Sequence, residues 1–192
     1  MTDTLTKLFG SAARVKLLRL FLFNPKQVIT LQDAAARAQV SNETARREIQ
    51  VFLRAGLLDR HPRRNSVHYG LVQSSPYIET LQNLLLNTPV RTNEMHERLR
   101  SAGVLKLIVV SGMFTGEWDA SLDLLIVGDR IKERVLQKKI KLLEAEVGKE
   151  VRFATLATQD FLYRLNLSDR LLRDVFDYPH TIVYDRLDIG LK

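Results

Sequence analysis

Polar and basic side chains recur at the spacing of one helical face between residues 41 and 54. The members of this face are Asn42, Glu43, Arg46, Arg47, Gln50 and Arg54. Such side chains form the hydrogen bonds by which proteins bind phosphates and the edges of bases. Arg63 and Arg64 follow a short distance along the chain, among turn-forming residues. These residue types and spacings indicate recognition of a polyanion, with a merely solvated basic surface as the alternative.

The distribution of charge favours the polyanion. The chain of 192 residues carries 29 basic and 22 acidic side chains, a formal net charge of +7. Residues 1–100 hold 15 basic and 8 acidic side chains, whereas residues 101–192 hold 14 of each. A basic field concentrated in one part of a protein raises the local concentration of nucleic acid. The first half is therefore the part expected to bind it.

Apolar residues predict the helix that presents the polar face. The residues at the i, i+4, i+7, i+8 spacing of its buried side are Ala45, Ile49, Phe52 and Leu53. Ser41 is a good N-cap for this helix, and Gly56 is expected to end it. Two helices precede it, one over residues 10–23 and one that opens at Thr30, with Asp33 completing a capping box.

Residues 57–72 predict a β-hairpin, because two short extended stretches flank the turn-forming residues 62–66. Arg63 and Arg64 lie at the tip of this hairpin. Three helices followed by a basic hairpin are the order that a winged helix requires. In a winged helix the third helix enters the major groove of duplex DNA, and the hairpin lies along the backbone.

The segment QDAAARAQVSNETARREIQVFLRAGLLDR resembles the winged helix-turn-helix of bacterial and archaeal transcriptional regulators. The resemblance covers residues 8–73, with Leu31–Ala38 as the positioning helix and Ser41–Arg54 as the recognition helix. It departs at Gln39, where that family usually has glycine, and a left-handed non-glycine residue costs roughly 1 kcal/mol. It implies that the DNA contacts come from Asn42, Glu43, Arg46, Arg47 and Gln50. A protein-binding adaptor built on the same fold is the alternative.

A helical connector is predicted over residues 75–103. Its first helix is rich in leucine, and a break at Asn87-Thr88-Pro89 separates it from a second helix that runs to Gly103. The leucines are Leu81, Leu84, Leu85 and Leu86. We expect them to bury against either domain or to pair with a second copy of the chain. The resemblance to regulators that dimerise on paired half-sites implies a homodimer.

Strands alternate with helices over residues 104–192, which predicts an α/β domain with a mixed sheet. The predicted elements are strands at 104–111 and 122–128, a helix at about 130–147, a strand at 150–157, helical segments, and a last strand at 181–185. With residues 1–74 as the DNA-binding domain, we expect an α+β protein of two domains joined by the connector.

The segment VVSGMFTGEWDASLDLLIVG resembles the start of a minimal nucleotidyltransferase domain of the polymerase-beta-like superfamily, and the similarity extends over residues 90–190. In that family, a glycine-serine turn and a second glycine precede a strand with two aspartates. The resemblance implies a turn whose N–H groups hold nucleotide phosphates, and carboxylates that bind Mg²⁺. Gly112 and Gly116 correspond to the two glycines, and Asp123 corresponds to the second aspartate.

Other positions depart from that family. Met113 replaces the serine, Ser121 stands in place of the first aspartate, and Arg152 lies where a third carboxylate is expected. Since one carboxylate cannot neutralise a nucleotide-bound metal pair, we expect a catalytically degenerate domain without a cofactor, used for dimerisation, partner binding or nucleotide sensing. The alternative is an active Mg²⁺-dependent nucleotidyltransferase tethered to DNA. The carboxylates that would then complete its metal site are Glu117, Asp119 and Glu150.

Residue types that the sequence lacks exclude further classes of protein. Without cysteine there are no disulfides, thiolate metal sites or thiol nucleophiles. The four histidines lack metal-ligand spacing, so no zinc site is expected. No apolar run approaches the roughly 20 residues of a membrane span. The first residues do not follow the pattern of a secretory signal, which indicates a cytoplasmic protein.

Overall fold

The computed structural model describes residues 4–86 and 94–188. Within these residues the protein is a mixed α and β structure with nine α-helices and seven strands, which form two sheets. None of the helices in these two ranges is long and apolar enough to cross a membrane.

The chain divides into two compact units, and both are discontinuous in sequence. The first unit comprises Met1–Thr88 and Lys141–Glu150. The second unit comprises Pro89–Ile140 and Val151–Lys192. A segment from the second half of the chain is therefore part of the first unit.

The described elements of the first half of the chain are five helices and three short strands. They are α1 (Thr4–Phe9), α2 (Ala12–Leu22), β1 (Ile29–Thr30), α3 (Leu31–Ala38), α4 (Asn42–Arg54), β2 (Leu58–Arg63), β3 (Ser66–Leu71) and α5 (Ile78–Leu86). The strand order is β1-β3-β2, and both pairings are antiparallel. Strands β2 and β3 form the hairpin that the sequence predicts.

Side-chain caps mark the first turns of α2, α3 and α4. Ser11, Thr30 and Ser41 each accept a hydrogen bond of 3.1 Å from the backbone N–H three residues ahead. The caps predicted at Thr30 and Ser41 are confirmed, whereas the first predicted helix begins at Ala12 rather than at residue 10. Gly56 follows α4 with a φ of +66°, as expected for a residue that ends a helix.

The turn between α3 and α4 contains a left-handed residue that is not glycine. Gln39 has a φ of +52° and a ψ of +53°. Its Nε2 donates a hydrogen bond of 2.9 Å to the carbonyl of Ala36. The same carbonyl also accepts from the backbone N–H of Gln39 at 3.2 Å, so the side chain adds a second donor at the end of α3 and offsets part of the backbone cost of about 1 kcal/mol.

The inner faces of α2, α3 and α4 form the core of the first unit. Its fully buried large side chains include Leu17, Phe21 and Ile49. Helix α3 contributes only small residues at its buried positions, Ala34, Ala35 and Ala38. Small side chains let the backbones of packed helices approach closely. Helix α4 packs into this core with one face, so its opposite face lies outside the core.

Helix α5 packs onto the same core. Ile78 and Leu85 are buried in it, and Leu81 lies against it. The side-chain amide of Gln82 donates to the carbonyl of Leu22 at 2.7 Å. Of the two environments expected for the leucine-rich helix, Leu81 and Leu85 therefore occupy the core of the first unit. The predicted break at residues 87–89 lies outside the described residues.

The second half of the chain forms a four-stranded sheet with helices. Its elements are α6 (Met95–Leu99), β4 (Val104–Val110), β5 (Leu124–Asp129), α7 (Glu133–Val147), β6 (Phe153–Leu156), α8 (Thr158–Asn166), α9 (Arg170–Phe176) and β7 (Thr181–Asp185). The strand order is β6-β5-β4-β7. Only β5 and β6 are parallel, so the sheet is mixed, as predicted. The strand predicted from residue 150 begins at Phe153, so Arg152 precedes it.

Residues 141–150, which include the end of α7, supply acceptors to the first unit. Nη1 of the largely buried Arg19 donates to the carbonyl of Glu146 at 2.9 Å. The side-chain amide of Asn24 donates to the carbonyl of Gly148 at 2.8 Å. A Cβ atom on Gly148 would collide with the backbone of Arg19, so glycine permits this close approach.

Candidate nucleic-acid interface

The outer face of α4 carries the polar residues that the sequence placed there. One shallow depression on this face is lined by Glu43, Arg46, Arg47, Gln50 and Arg54. Asn42 is exposed in the first turn of the same helix. Since Ile49 and Phe52 are buried on the opposite face, helical periodicity separates the polar surface from the core.

A buried ion pair holds α4 against the helix behind it. Glu48 is 2% exposed, and its carboxylate accepts from Nε of Arg14 at 2.8 Å and from Oγ of Ser11 at 3.1 Å. Arg14 also donates to the carbonyl of Phe9. Sequence periodicity did not single out Glu48, because a charged residue at a core position has no apolar signature. Its role is to orient α4 from within.

The hairpin lies within the predicted residues 57–72, but its strands extend further toward the tip than predicted, and its turn is shorter. The strands extend to Arg63 and Ser66, which pair with each other, so the turn contains only Arg64 and Asn65. Pro62 lies in β2, opposite Val67, rather than in the turn. The side chains of both arginines are exposed at the tip.

Arg60 links the hairpin to α4. Alternation along β2 places Arg60 on the same face as the buried Leu58. Its Nη2 donates to Oε1 of Gln50 at 3.3 Å. Arg60 was not among the site residues predicted from the sequence, although its two-residue spacing from Leu58 was a signal that it faces the helices. Arg60 therefore extends the basic surface beyond the predicted DNA contacts, as does Arg54, which was predicted on the polar face of the helix but not as a DNA contact.

The cations of this surface are not neutralised by neighbouring protein groups. Over residues 4–86 and 94–188, the guanidinium groups of Arg46, Arg47, Arg63 and Arg64 have no hydrogen-bond or ion-pair partner. We define the basic face as Arg46, Arg47, Arg54, Arg60, Arg63 and Arg64. Exposed arginines of this kind offer several N–H donors each to phosphate oxygens and base edges.

The second candidate site contains a fully buried carboxylate. Asp123 lies directly before the interior strand β5 and is 0% exposed. Its Oδ1 accepts from the backbone N–H of Met113 at 2.9 Å and from Nη2 of Arg152 at 2.7 Å. Its Oδ2 accepts from the backbone N–H and from Nε of Arg152, both at 2.9 Å. Both carboxylate oxygens are therefore engaged by protein donors.

Arg152 also donates to two backbone carbonyls. Nη2 donates to the carbonyl of Trp118 at 3.3 Å, and Nη1 donates to the carbonyl of Ala120. The hydrogen bonds to Asp123 raise the pKa of the Arg152 guanidinium further above its ordinary value. The guanidinium is thus a partly exposed cation that is held in place by acceptors of the protein.

The N–H groups of the glycine turn point inward as well. Besides Met113, the N–H of Phe114 donates to the carbonyl of Ser111, and those of Thr115 and Glu117 donate to Gly112. Gly112 has a φ of +55°, and a Cβ there would collide with the carboxylate of Asp123. Glycine at this position therefore makes room for the buried aspartate. It does not leave these N–H groups for a ligand.

The residues around Asp123 do not fit the metal pair of a nucleotidyltransferase. Ser121, which takes the place of the first aspartate, is exposed and has no charge to offer a cation. It lines a pocket with acidic and polar neighbours, namely Glu117, Asp119, Asp174 and Tyr178. In residues 4–86 and 94–188, no three His, Asp or Glu side chains lie close enough together to bind a metal ion. Arg152 supplies the positive charge beside Asp123 instead.

A second carboxylate of this unit is also stabilised by protein donors. Asp129, at the end of β5, accepts from the backbone N–H of Thr158 at 3.2 Å and from its hydroxyl at 2.9 Å. These two hydrogen bonds, led by the backbone one, lower the pKa of Asp129 below its ordinary value. Because Thr158 is the first residue of α8, Asp129 caps that helix with a negative charge.

Comparison of the chain with protein-family models, with curated proteins and with solved structures found no match. The function is therefore inferred from the side-chain geometry within each unit.

Proposed function

We propose that the first unit is a winged helix-turn-helix that binds duplex DNA and that the protein is a transcriptional regulator. Helix α4 is the recognition helix, which enters the major groove. The β2–β3 hairpin is the wing, which lies along the phosphate backbone. The single observation that carries this proposal is the basic face, whose exposed arginines lie on both the helix and the hairpin. The hydrogen bond from Arg60 to Gln50 joins these two elements.

The order of elements supports the same proposal. Helices α2, α3 and α4 precede the hairpin, and β1 pairs with β3 to complete a small antiparallel sheet. The left-handed Gln39 provides the turn between α3 and α4, where helix-turn-helix proteins of the kind that the sequence resembles usually have glycine. Asn42, Glu43, Arg46, Arg47 and Gln50 are the residues that would meet base edges, and Arg63 and Arg64 would meet phosphates.

We propose further that the second unit is nucleotidyltransferase-like but catalytically degenerate. Asp123 is saturated by Arg152 and by two backbone N–H groups, which leaves no ligand position for Mg²⁺. The unit then serves dimerisation, partner binding or ligand sensing. Of these three roles, nucleotide sensing has the least support, because four N–H groups of the glycine turn already donate within the protein.

A DNA titration tests the regulator. The full chain is titrated with a fluorescent 30-bp duplex at several salt concentrations. If about five phosphates are neutralised, the logarithm of the binding constant falls with the logarithm of salt at a slope of roughly −4 to −5. No binding at low salt, or a flat salt dependence, would favour a protein-binding adaptor and contradict the proposal.

The alternative of an active, DNA-tethered nucleotidyltransferase has its own test. The chain is incubated with labelled ATP or GTP and Mg²⁺, and transfer of label to protein or nucleic acid is measured. We expect no incorporation above that of the Asp123→Ala variant. Incorporation that Asp123→Ala abolishes would overturn the degenerate assignment.

We also propose a homodimer, because paired half-sites match a two-fold protein. Leu85 is buried in the core of the first unit, and Leu81 is partly buried against it, so these two leucines offer little surface for a dimer contact. Sedimentation of the chain with and without duplex DNA measures the stoichiometry directly. A protein of this type acts on DNA in the cytoplasm, which is where we place it.

A further inference from the structure

Arg60 and Gln50 meet where the hairpin lies beside the proposed recognition helix. Nη2 of Arg60 donates to Oε1 of Gln50 at 3.3 Å. Gln50 lies one helical turn beyond Arg46 and Arg47 and lines the same surface depression. The contact thus reaches a side chain that would face base edges.

The chemistry of the guanidinium fixes which way the amide of Gln50 points. Arginine has five N–H donors and no acceptor. The end of the amide that faces Arg60 is therefore the oxygen, because the –NH₂ end would place donor against donor. With its oxygen held toward the hairpin, Gln50 turns its –NH₂ group away from Arg60. Gln50 then presents its two N–H donors on the side away from Arg60, and its oxygen has one lone pair left for another partner.

Guanine and adenine differ in how well their major-groove edges pair with an amide that presents its –NH₂ group. Guanine presents two acceptors, N7 and O6, whereas adenine presents the N7 acceptor beside the N6 donor. A glutamine with both ends of its amide available pairs with adenine by accepting from N6 and donating to N7. Arg60 occupies one of the two lone pairs of the Gln50 oxygen and holds that oxygen toward the hairpin, so the adenine N6–H can reach only the other lone pair and from a restricted direction. Guanine needs only the donors that remain.

We infer that Arg60 is a positioning residue that makes Gln50 select guanine over adenine at one position of the DNA site. The inference rests on the proposed DNA-binding function. Arg60 acts through Gln50, and its specific effect is confined to the base pair that Gln50 reads. Arg46 and Arg47, which also offer donors only, favour guanine at neighbouring positions in the same way.

Selection from a randomised duplex library tests the inference. The full chain is incubated with duplexes that carry a random 20-bp core, and the retained DNA is sequenced. For the wild type we expect one position with a guanine preference over adenine of about tenfold, within the range for a good base contact. Arg60→Ala reduces that preference to near equality at this position alone. Arg60→Lys, which keeps a charged donor, retains most of it.

Further variants identify the route through Gln50. Gln50→Ala removes the preference at the same position, and adding Arg60→Ala to it changes the selected sequence no further. Arg63→Ala is the matched control, because Arg63 lies three residues along the same strand, on its other face. It lowers affinity for all sequences and leaves the selected motif unchanged.

Two results would count against the inference, and they differ. If Arg60→Ala selects the wild-type motif and only weakens binding, as Arg63→Ala does, Arg60 is an ordinary phosphate contact. If the wild type enriches no sequence and retains no DNA, the proposed function fails together with the inference.

Discussion

Arginine guanidinium groups lie on the outer face of α4 and its hairpin, and also beside the glycine turn of the second unit, but their surroundings differ. Arg46 and Arg47 are exposed on α4, and the buried acidic residue beside them in sequence, Glu48, is turned inward toward Arg14. Arg152 instead donates to a buried carboxylate and to two carbonyls. The donors of Arg46 and Arg47 therefore remain available to a ligand, whereas most donors of Arg152 are bound to other groups of the protein.

The difference shows why residue type alone does not identify a site. A glycine turn followed by an aspartate resembles a phosphate and metal site in sequence. In the structure, each oxygen of Asp123 accepts two hydrogen bonds from the protein. The basic face has the less distinctive sequence, yet over the described ranges the guanidinium groups of Arg46, Arg47, Arg63 and Arg64 have no partner within the protein. Availability of donors and acceptors separates the two regions.

The largest effect is expected from breaking the internal pair of the second unit. Arg152→Ala leaves the buried carboxylate of Asp123 without its cation, and we expect a loss of about 3 kcal/mol in the free energy of unfolding, the lower end for a buried pair because Arg152 is partly exposed. Urea unfolding followed by the fluorescence of Trp118, the one tryptophan in the chain, measures it. In the double variant Asp123→Ala/Arg152→Ala, the loss should be smaller than the sum of the two single losses. Additive losses would show that the two side chains are not coupled.

The next effect tests the basic face. Arg46→Ala and Arg47→Ala are each expected to cost about 1–3 kcal/mol of DNA-binding free energy where the side chain reads a base, and less where it meets only phosphate. Together they should reduce the salt slope by up to about two. The matched control, Arg134→Ala/Lys138→Ala, removes two exposed cations of α7 and should leave affinity nearly unchanged. Equal losses in the two double variants would indicate general electrostatic attraction without a defined face.

A smaller effect on stability is expected from replacing Gln39, the left-handed residue in the turn before α4. Gln39→Gly relieves the left-handed backbone cost of about 1 kcal/mol but loses the side-chain bond to Ala36. We therefore expect a gain in stability of less than about 1 kcal/mol, since glycine also increases the entropy of the unfolded chain. Gln39→Ala keeps the strain and loses the bond, so it should destabilise. The urea midpoints of both variants decide the sign, and a stabilising Gln39→Ala would contradict the assigned conformation.

The smallest effect concerns acid stability in the second unit. Because the pKa of Asp129 is lowered on folding, the charged carboxylate adds stability above about pH 4, which is lost as the pH falls through the lowered folded value. Asp129→Asn should therefore be less stable than the wild type at pH 7, and the difference should narrow toward pH 3. Urea unfolding at several pH values measures this. A difference that does not change with pH would show that the charge contributes nothing.

Local features of the first unit could be predicted from the sequence, because they depend on neighbouring residues. Ser41 and Thr30 act as N-caps through contacts three residues apart, and Gly56 takes its left-handed conformation directly after α4. The mixed sheet of the second half followed from the alternation of strands and helices. The turn of the hairpin was overestimated, because Pro62 is compatible with an edge strand as well as with a turn.

Long-range partners could not be predicted. Asp123 and Arg152 are 29 residues apart, and Gln50 and Arg60 belong to different elements, so their hydrogen bonds depend on the tertiary structure. The sequence showed that Arg152 stands where a carboxylate was expected, but not that its guanidinium would pair with Asp123. Glu48 was missed for the same reason, since its partner lies on α2.

The discontinuity of the first unit bears on how the chain is synthesised. Arg19 and Asn24 donate to carbonyls of Glu146 and Gly148, which leave the ribosome more than a hundred residues later. The first unit can therefore complete these hydrogen bonds only after most of the protein has been translated. A fragment that ends before residue 141 would lack both acceptors. Expression of the first unit alone should thus retain the segment up to Glu150, either in the natural chain or by circular permutation.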